Sequence, residues 1–582
     1  MSDTRQGSSV SFWRADGRAL AAIIVVAVLA AFFVIRAPRI VGLYEDDGIY
    51  LTTAKALAEG RGYRHLELPG EPYQTKYPIL YPLLLAAVWR LFPSFPDNVP
   101  VIQVVNTALW AASAWITYRL LRRVWGLPSW LAALGVILGF ANAATLGVIQ
   151  TAMAEPLYVL LTMAALAVWC NATAEGERTA TTRRALVPPA AAGLLAAGAY
   201  LTRSIGVTLI IALVVDGLLR RRWMRTAVAG VVALLGAAGW HVWRAWASAA
   251  NAADPMTTAF GYDLDYSIWI APSLRAAAWV AYHNLSEVIM EYFLLLGALP
   301  GDWAKAMLEK GIVRALPLYL GALLALALTL LGLRMVTQAR RLTIPLYLLC
   351  YFGVVLVWPF APWRFLLPVF ALLITLLLAG CYGVVLWLVR LKAGAATQPG
   401  DAWGGVWSEN MRGADWAFRA TFLLAAAIAY PSWRLIVQPD RATLDQTTRE
   451  RDALAEYLRT NTPADAVVCT TKAAYLHLRT GRKFVPFLPY ENPVAHRYSA
   501  ERRFAECGRV IPRAELAADL RFMQARLIDY LTTTGASYIV PLPPSTKFGH
   551  AFAAFRQLEP GRFRRVGVSG PYSIYQFAGS AK

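Results

Sequence analysis

The residues with the clearest chemical content are a few charged side chains at the ends of long apolar runs. Tyr44-Glu45-Asp46-Asp47-Gly48-Ile49-Tyr50 sets three consecutive carboxylates just after the first run; Lys76-Tyr77-Pro78, Ala154-Glu155-Pro156, Arg203 and Trp363-Arg364-Phe365 follow. Each has a plain structural reading. The carboxylates complement a helix dipole, Lys76 snorkels along apolar surface, and Glu155 caps a helix whose proline takes the first position. Taken together they make a different inventory. A carboxylate can remove the proton of an acceptor hydroxyl, and lysine and arginine can stabilise charge growing on a phosphate leaving group. That is the set needed to move a sugar from a lipid phosphate without a metal. Clustered carboxylates at Glu45, Asp46 and Asp47 leave a divalent cation as the alternative arrangement.

These residues are positioned by apolar segments. Runs at 19–35, 99–118, 128–148, 155–172, 186–202, 204–219, 226–247, 313–333, 342–359, 364–389 and 415–437 predict eleven spans. Their lengths suit a hydrocarbon core about 30 Å thick. The first run has no small-residue cleavage site after it and is read as an uncleaved helix with its N-terminus in the cytoplasm. Alternation then places Arg119/Arg122/Arg123, Arg178/Arg183/Arg184, Arg220/Arg221/Arg222/Arg225, Arg334/Arg340/Arg341 and Arg390/Lys392 on the cytoplasmic side, where basic residues belong. The stretch 248–312 falls outside, with seven acids against three bases. Asp46, Lys76, Glu155, Arg203 and Arg364 then share the outer side, which topology keeps poor in arginine.

Composition agrees with a membrane protein. Of 582 residues, 57% are hydrophobic and 16% charged, and mean hydropathy is +0.44. The net charge of +20 is spread over the connections between runs, so it reads as topology signal and nucleic acid is excluded as a partner. The cysteines at 170, 350, 381, 469 and 507 show no metal-ligand spacing; Cys469 and Cys507 share the polar C-terminal region, where a disulfide is conceivable. Two segments outside the runs are too long for connectors. In 36–98, the stretches 48–58 and 78–92 are amphipathic and suit interfacial helices. The segment 441–582 opens with a helical pattern at 447–459 and continues with strand-like 466–470 and 537–541, which predicts a small α/β domain.

The pattern resembles the GT-C superfamily of polyprenyl-phosphate-dependent glycosyltransferases, in the branch of protein O-mannosyltransferases and aminoarabinose transferases, over roughly 1–440. The family's first outer loop carries an acidic pair followed by an aromatic, matched by Asp46-Asp47-Gly48-Ile49-Tyr50. Its Lys-Pro-Pro stretch is similar to Lys76-Tyr77-Pro78, with tyrosine in place of the first proline. Glu155-Pro156, Leu201-Thr202-Arg203 and Arg364-Phe365-Leu366-Leu367-Pro368 resemble further elements. The resemblance implies a GT-C fold, Asp46 as catalytic base with Asp47 and Glu155 as supporting carboxylates, and Lys76, Arg203 and Arg364 as ligands of the donor phosphate. Some members of the superfamily use a divalent cation; here the basic side chains serve the phosphate, and the expectation is no cofactor.

The expectation is therefore a polytopic α-helical membrane protein with a transmembrane module at 1–440 and a C-terminal extracytoplasmic α/β domain at 441–582. It would be an inverting glycosyltransferase of a bacterial inner membrane, taking a polyprenyl-phosphate-sugar donor and a lipid, glycan or protein acceptor at the outer face. A transporter or flippase is the main rival; that class places charges at the bilayer midplane and shows paired repeats. A structural or sensory membrane protein has no need for these charges together.

Overall fold

The computed structural model describes residues 17–32, 42, 46–175, 183–258, 260, 274–297, 299, 307, 312–337, 342–358, 362–392, 414–437, 441–486, 527–541, 552, 556 and 561–579. Apolar helices dominate the first three quarters. They are α1 (Gly17–Phe32), α2 (Asp46–Ala58), α3 (Leu80–Leu91), α4 (Val99–Val124), α5 (Ser129–Phe140), α6 (Ala143–Gln150), α7 (Glu155–Glu175) and α8 (Val187–Thr202). Next come α9 (Val207–Leu219), α10 (Trp223–Ala252), α11 (Leu274–Gly297), α12 (Ile312–Thr337), α13 (Thr343–Val357), α14 (Phe370–Lys392) and α15 (Ala414–Val437).

Among the described residues, four helices are long and apolar enough to cross a membrane, or five if the bent pair α5 and α6 is one span. Several other expected spans are shorter helices, among them 155–171, 187–202, 204–219 and 343–357. The 53° bend between α5 and α6 has a local cause. Asn142 caps α6 by accepting the Ala144 N–H at 2.9 Å, and its amide donates at 3.0 Å to both the Leu295 carbonyl and Ser432 Oγ. The stretch 248–312, read as an outer loop, contains the 24-residue α11, packed against α12, α13 and α15.

The C-terminal region forms the expected α/β unit. Helix α16 (Arg441–Asn461) is followed by β1 (Val467–Thr470), α17 (Ala473–Thr480), β2 (Lys483–Pro486), β3 (Tyr538–Val540), β4 (Phe563–Ser569) and β5 (Tyr572–Phe577). The sheet runs β2-β1-β3-β5-β4, with β1 parallel to β2 and β3 and the last two pairings antiparallel. Cys469 is buried in β1 with its thiol toward the Pro486 carbonyl at 3.7 Å; its pairing with Cys507 lies outside the described residues.

This unit sits directly on the first loop. The edge strand β2 continues onto it, since the Phe484 N–H donates to the Glu67 carbonyl at 2.7 Å. Lys483 Nζ donates to the Leu66 carbonyl at 2.7 Å and to Glu71 at 2.6 Å. Helix α17 meets α2 so closely that a Cβ at Gly48 would stand 2.9 Å from Ala474 Cβ. A Cβ at Gly42, which holds φ +81, would stand 3.1 Å from Tyr475 Cβ. Helix α2, expected in the membrane interface, is thus largely buried between α3 and the C-terminal unit.

Candidate active site

Five of the six expected residues converge, each brought in by a break in helical structure. Helix α2 begins at Asp46 with two acids in its first turn, where the dipole favours them. Helix α7 begins at Glu155, with Pro156 in the first turn where a missing N–H costs nothing. Arg203 occupies an extended residue (φ −147, ψ 132) between α8 and α9. Arg364 lies in the short turn Trp363–Leu366, cut off from α14 by the 3-10 segment Leu367–Val369 that contains Pro368.

The charges alternate along one network. Arg364 Nη1 donates to Asp46 Oδ2 at 3.0 Å and its Nη2 to Glu155 Oε1 at 3.1 Å. Arg203 Nη1 donates to the same Glu155 oxygen. Glu155 is fully buried and so stands between two guanidinium groups, while Asp46 keeps a quarter of its side chain exposed. Glu155 Oε2 has no hydrogen-bond partner among the described residues. The Arg203 guanidinium also lies over the Phe365 ring at 5.5 Å.

The first loop supplies the rest. A β-bridge between Arg64 and Tyr73 folds 63–77 back on itself, and Asn251 of α10 clamps it by exchanging two 2.9 Å hydrogen bonds with the Tyr73 backbone. Gln74 Oε1 then accepts the N–H groups of Lys76 and Tyr77 at 2.7 and 3.2 Å, turning the chain inward; its Nε2 is buried with no partner among the described residues. Lys76 is buried, with its Nζ 5.1 Å from the Tyr77 ring centre. Tyr77 donates its hydroxyl to Asp46 Oδ1 at 2.6 Å and packs edge-on against Tyr50 at 5.1 Å.

Burial by itself would raise the Asp46 carboxyl. The charges of Arg364 and Lys76, with hydrogen bonds from Tyr77 and Arg364, more than offset it and hold the group below the usual carboxylate value. Tyr77→Phe removes one of these stabilising donors. The acid limb of any activity that needs ionised Asp46 then shifts to higher pH, by about one unit for a hydrogen bond of roughly 1.4 kcal/mol. A pH profile of turnover in the Tyr77→Phe protein checks this; an unmoved limb means the hydroxyl does not set the charge of Asp46.

Asp47 stands apart from this network. Its side chain turns toward the C-terminal unit and accepts the N–H groups of Gly42 at 2.6 Å and Gly48 at 3.0 Å. Burial pushes its carboxyl up to about 6, opposed by those N–H groups and by Lys472. A carboxyl raised on folding stabilises at pH below its unfolded value near 3.8 and loses that contribution as pH rises through about 6. Melting temperature should accordingly fall between pH 4 and 6, and Asp47→Asn should flatten that part of the profile. An unchanged slope in the variant would assign the titration to another group.

A divalent cation fits these carboxylates poorly. Both oxygens of Asp46 and both of Asp47 already face N–H or O–H donors, the wrong polarity for a metal. Among the described residues no three His, Cys, Asp or Glu side chains gather; Glu45 lies outside them. Sequence reasoning missed Tyr77 as a partner of Asp46 and missed Gln74 altogether. A tyrosine standing where the resembled stretch has proline was the available signal for the first.

No protein-family model matches the sequence, and no curated protein matches it. Solved structures do. ArnT from Cupriavidus metallidurans bound to undecaprenyl phosphate is 14% identical, with a TM-score of 0.53 over 96% of this chain and 98% of that one. The archaeal oligosaccharyltransferase AglB from Archaeoglobus fulgidus, in complex with an inhibitory peptide and a dolichol-phosphate, is 12% identical, with a TM-score of 0.51 over 96% and 74%. Identity this low speaks for architecture alone, and on that ground the chain is a helical protein, with helices long and apolar enough to cross a membrane, that shares the fold of ArnT and AglB.

Proposed function

We propose that the chain is a membrane glycosyltransferase that moves one sugar from a polyprenyl-phosphate donor to a hydroxyl-bearing acceptor, with inversion. The observation that carries this reading is the network Tyr77, Asp46, Arg364, Glu155, Arg203, with Lys76 buried beside it. Asp46 is its one carboxylate that is ionised, oriented by two donors and partly exposed. It takes the proton as the acceptor oxygen bonds to the anomeric carbon. The bond from that carbon to the phosphate oxygen breaks, and its electron pair leaves with the polyprenyl phosphate. Lys76, Arg203 and Arg364 stabilise the charge that develops there.

Glu155 sets how strongly they do so. The carboxylates of Asp46 and Glu155 balance the guanidinium groups of Arg364 and Arg203. Lys76 beside them leaves the site one net positive charge, suited to a phosphate that arrives and must also depart. Asp47 supports the start of α2. The fold shared with proteins caught holding undecaprenyl phosphate and dolichol-phosphate supports a lipid-borne donor. The charge pattern of the connections supports an active face on the outer side of a bacterial inner membrane, with the N-terminus cytoplasmic and the C-terminal unit outside.

The direct test is purified protein in lipid nanodiscs with a panel of radiolabelled polyprenyl-phosphate sugars. Release of polyprenyl phosphate with loss of labelled donor is expected for at least one sugar. If every donor stays intact while the protein is folded, the transferase reading fails and transport becomes the next to test.

A further inference from the structure

Tyr77, whose hydroxyl reaches Asp46, is itself held by two residues outside the charged network. The Gln74 N–H donates to the Tyr63 carbonyl at 2.9 Å. Gln74 Oε1 accepts the Tyr77 N–H at 3.2 Å, and the Tyr63 hydroxyl donates to the Tyr77 carbonyl at 2.9 Å. These three bonds close a ring, from Tyr63 to Gln74 to Tyr77 and back, that fixes the peptide groups on both sides of Tyr77. All three residues are buried, where such bonds are stronger than in water.

The ring is anchored to a long helix. Trp243 of α10 donates its Nε1 to the Gln74 carbonyl at 3.2 Å, and Asn251 of the same helix holds Tyr73, the preceding residue. The Tyr63 ring meets Trp240, also of α10, edge-on at 6.4 Å. Pro78 narrows the Tyr77 backbone toward extended conformations. The Tyr77 side chain is then steered between its contact with Tyr50 and its 2.6 Å bond to Asp46.

Gln74 governs a second residue. Its Oε1 also accepts the Lys76 N–H at 2.7 Å, so one amide oxygen sets both Lys76 and Tyr77. Those two N–H groups decide which way round the amide lies, since its Nε2 only donates. A side chain of the same size without the oxygen would remove the acceptor that both share. Hydrogen bonds weaken steeply as their angles close, and a misplacement of about 1 Å can cost about 10²-fold in rate.

We infer that Gln74 and Tyr63 are positioning residues of the transfer reaction, which act by aiming the Tyr77 hydroxyl at Asp46, with Gln74 aiming Lys76 as well. The inference rests on the glycosyltransferase reading. Its test uses full-length protein in lipid nanodiscs and a labelled polyprenyl-phosphate sugar that the wild type cleaves, with turnover followed against pH. Gln74→Met keeps the length of the side chain and loses the acceptor; Tyr63→Phe keeps the ring and loses the hydroxyl. Each should move the acid limb to higher pH, by up to the roughly one unit expected of Tyr77→Phe. Neither should move it further where Tyr77→Phe is already present, because the hydroxyl they aim is gone. Gln74→Met, which also releases Lys76, should lower kcat by about tenfold or more at the pH optimum, and Tyr63→Phe by less. Residues that only supported the fold would lower the melting temperature and leave the limb in place. Tyr63→Phe alters one buried hydroxyl and carries the test if Gln74→Met does not fold. An unmoved limb in every variant that folds, a shift that survives in the Tyr77→Phe background, or failure of both variants to fold overturns the inference. A wild type that cleaves no donor brings down the transferase reading itself, a separate outcome.

Discussion

Asp46→Asn should lower sugar transfer by about 10²–10⁴, the range that a positioned general base contributes, while leaving the donor KM within a few fold. The substitution is nearly isosteric. The asparagine oxygen can still accept from Arg364 or Tyr77, so the network keeps most of its geometry, but the side chain can no longer take a proton. A fall in kcat with KM preserved is the signature of an interaction made only in the transition state. The measurement is steady-state transfer of labelled sugar, with melting temperature as the control for folding. Activity within tenfold of wild type would remove Asp46 as base. Asp47→Asn in the same assay then decides whether the neighbour has that role. The geometry expects it not to, because both Asp47 oxygens face the backbone of Gly42 and Gly48.

Much of this site could be read in the sequence because its residues break local rules. Charges at the ends of apolar runs are costly unless paired, and arginines on a side that topology keeps arginine-poor need a partner. Asp46, Glu155, Arg203 and Arg364 are one another's partners. The strands expected at 466–470 and 537–541 appear at Val467–Thr470 and Tyr538–Val540, and the helical pattern at 447–459 lies within Arg441–Asn461. These are elements that local pattern specifies.

What remained hidden depends on tertiary contact. Glu155 reads in the sequence both as a helix cap and as a supporting carboxylate; only the fold shows it between two arginines from distant segments. Helix α11 was hidden because Asn284, Glu287 and Glu291 interrupt its apolar run. Its polar groups are satisfied by neighbours, as when Asn284 donates to the Leu356 carbonyl at 2.9 Å and Tyr292 meets Thr329 at 2.9 Å. Hydropathy alone suggests a division at 440/441, and the β2 edge and α17 lock onto the first loop through contacts more than 400 residues apart in sequence, such as Lys483 with Leu66 and Glu71. Helix α2 therefore carries the candidate base on a support made partly by the C-terminal unit.

The second large effect is expected at Glu155. Glu155→Gln keeps a carbonyl oxygen for one guanidinium but removes the charge that Arg203 and Arg364 share in a fully buried position. Breaking a buried ion pair from one side costs about 3–5 kcal/mol, because the remaining charge is left uncompensated. A marked drop in melting temperature is expected, and transfer should fall with it, since Arg364 also holds Asp46. Arg203→Met in the same background removes the uncompensated charge, and the double variant Glu155→Gln/Arg203→Met should recover much of the lost stability, with a coupling of roughly 1–3 kcal/mol for groups in direct contact. Transfer should stay low in the double variant, because one of the expected phosphate ligands is gone. Recovery of stability without recovery of activity separates the two roles of the network. A Glu155→Gln protein that melts like the wild type would mean that the arginines do not depend on Glu155, and a double variant no more stable than the single would mean that shape, not charge, is what Glu155 contributes.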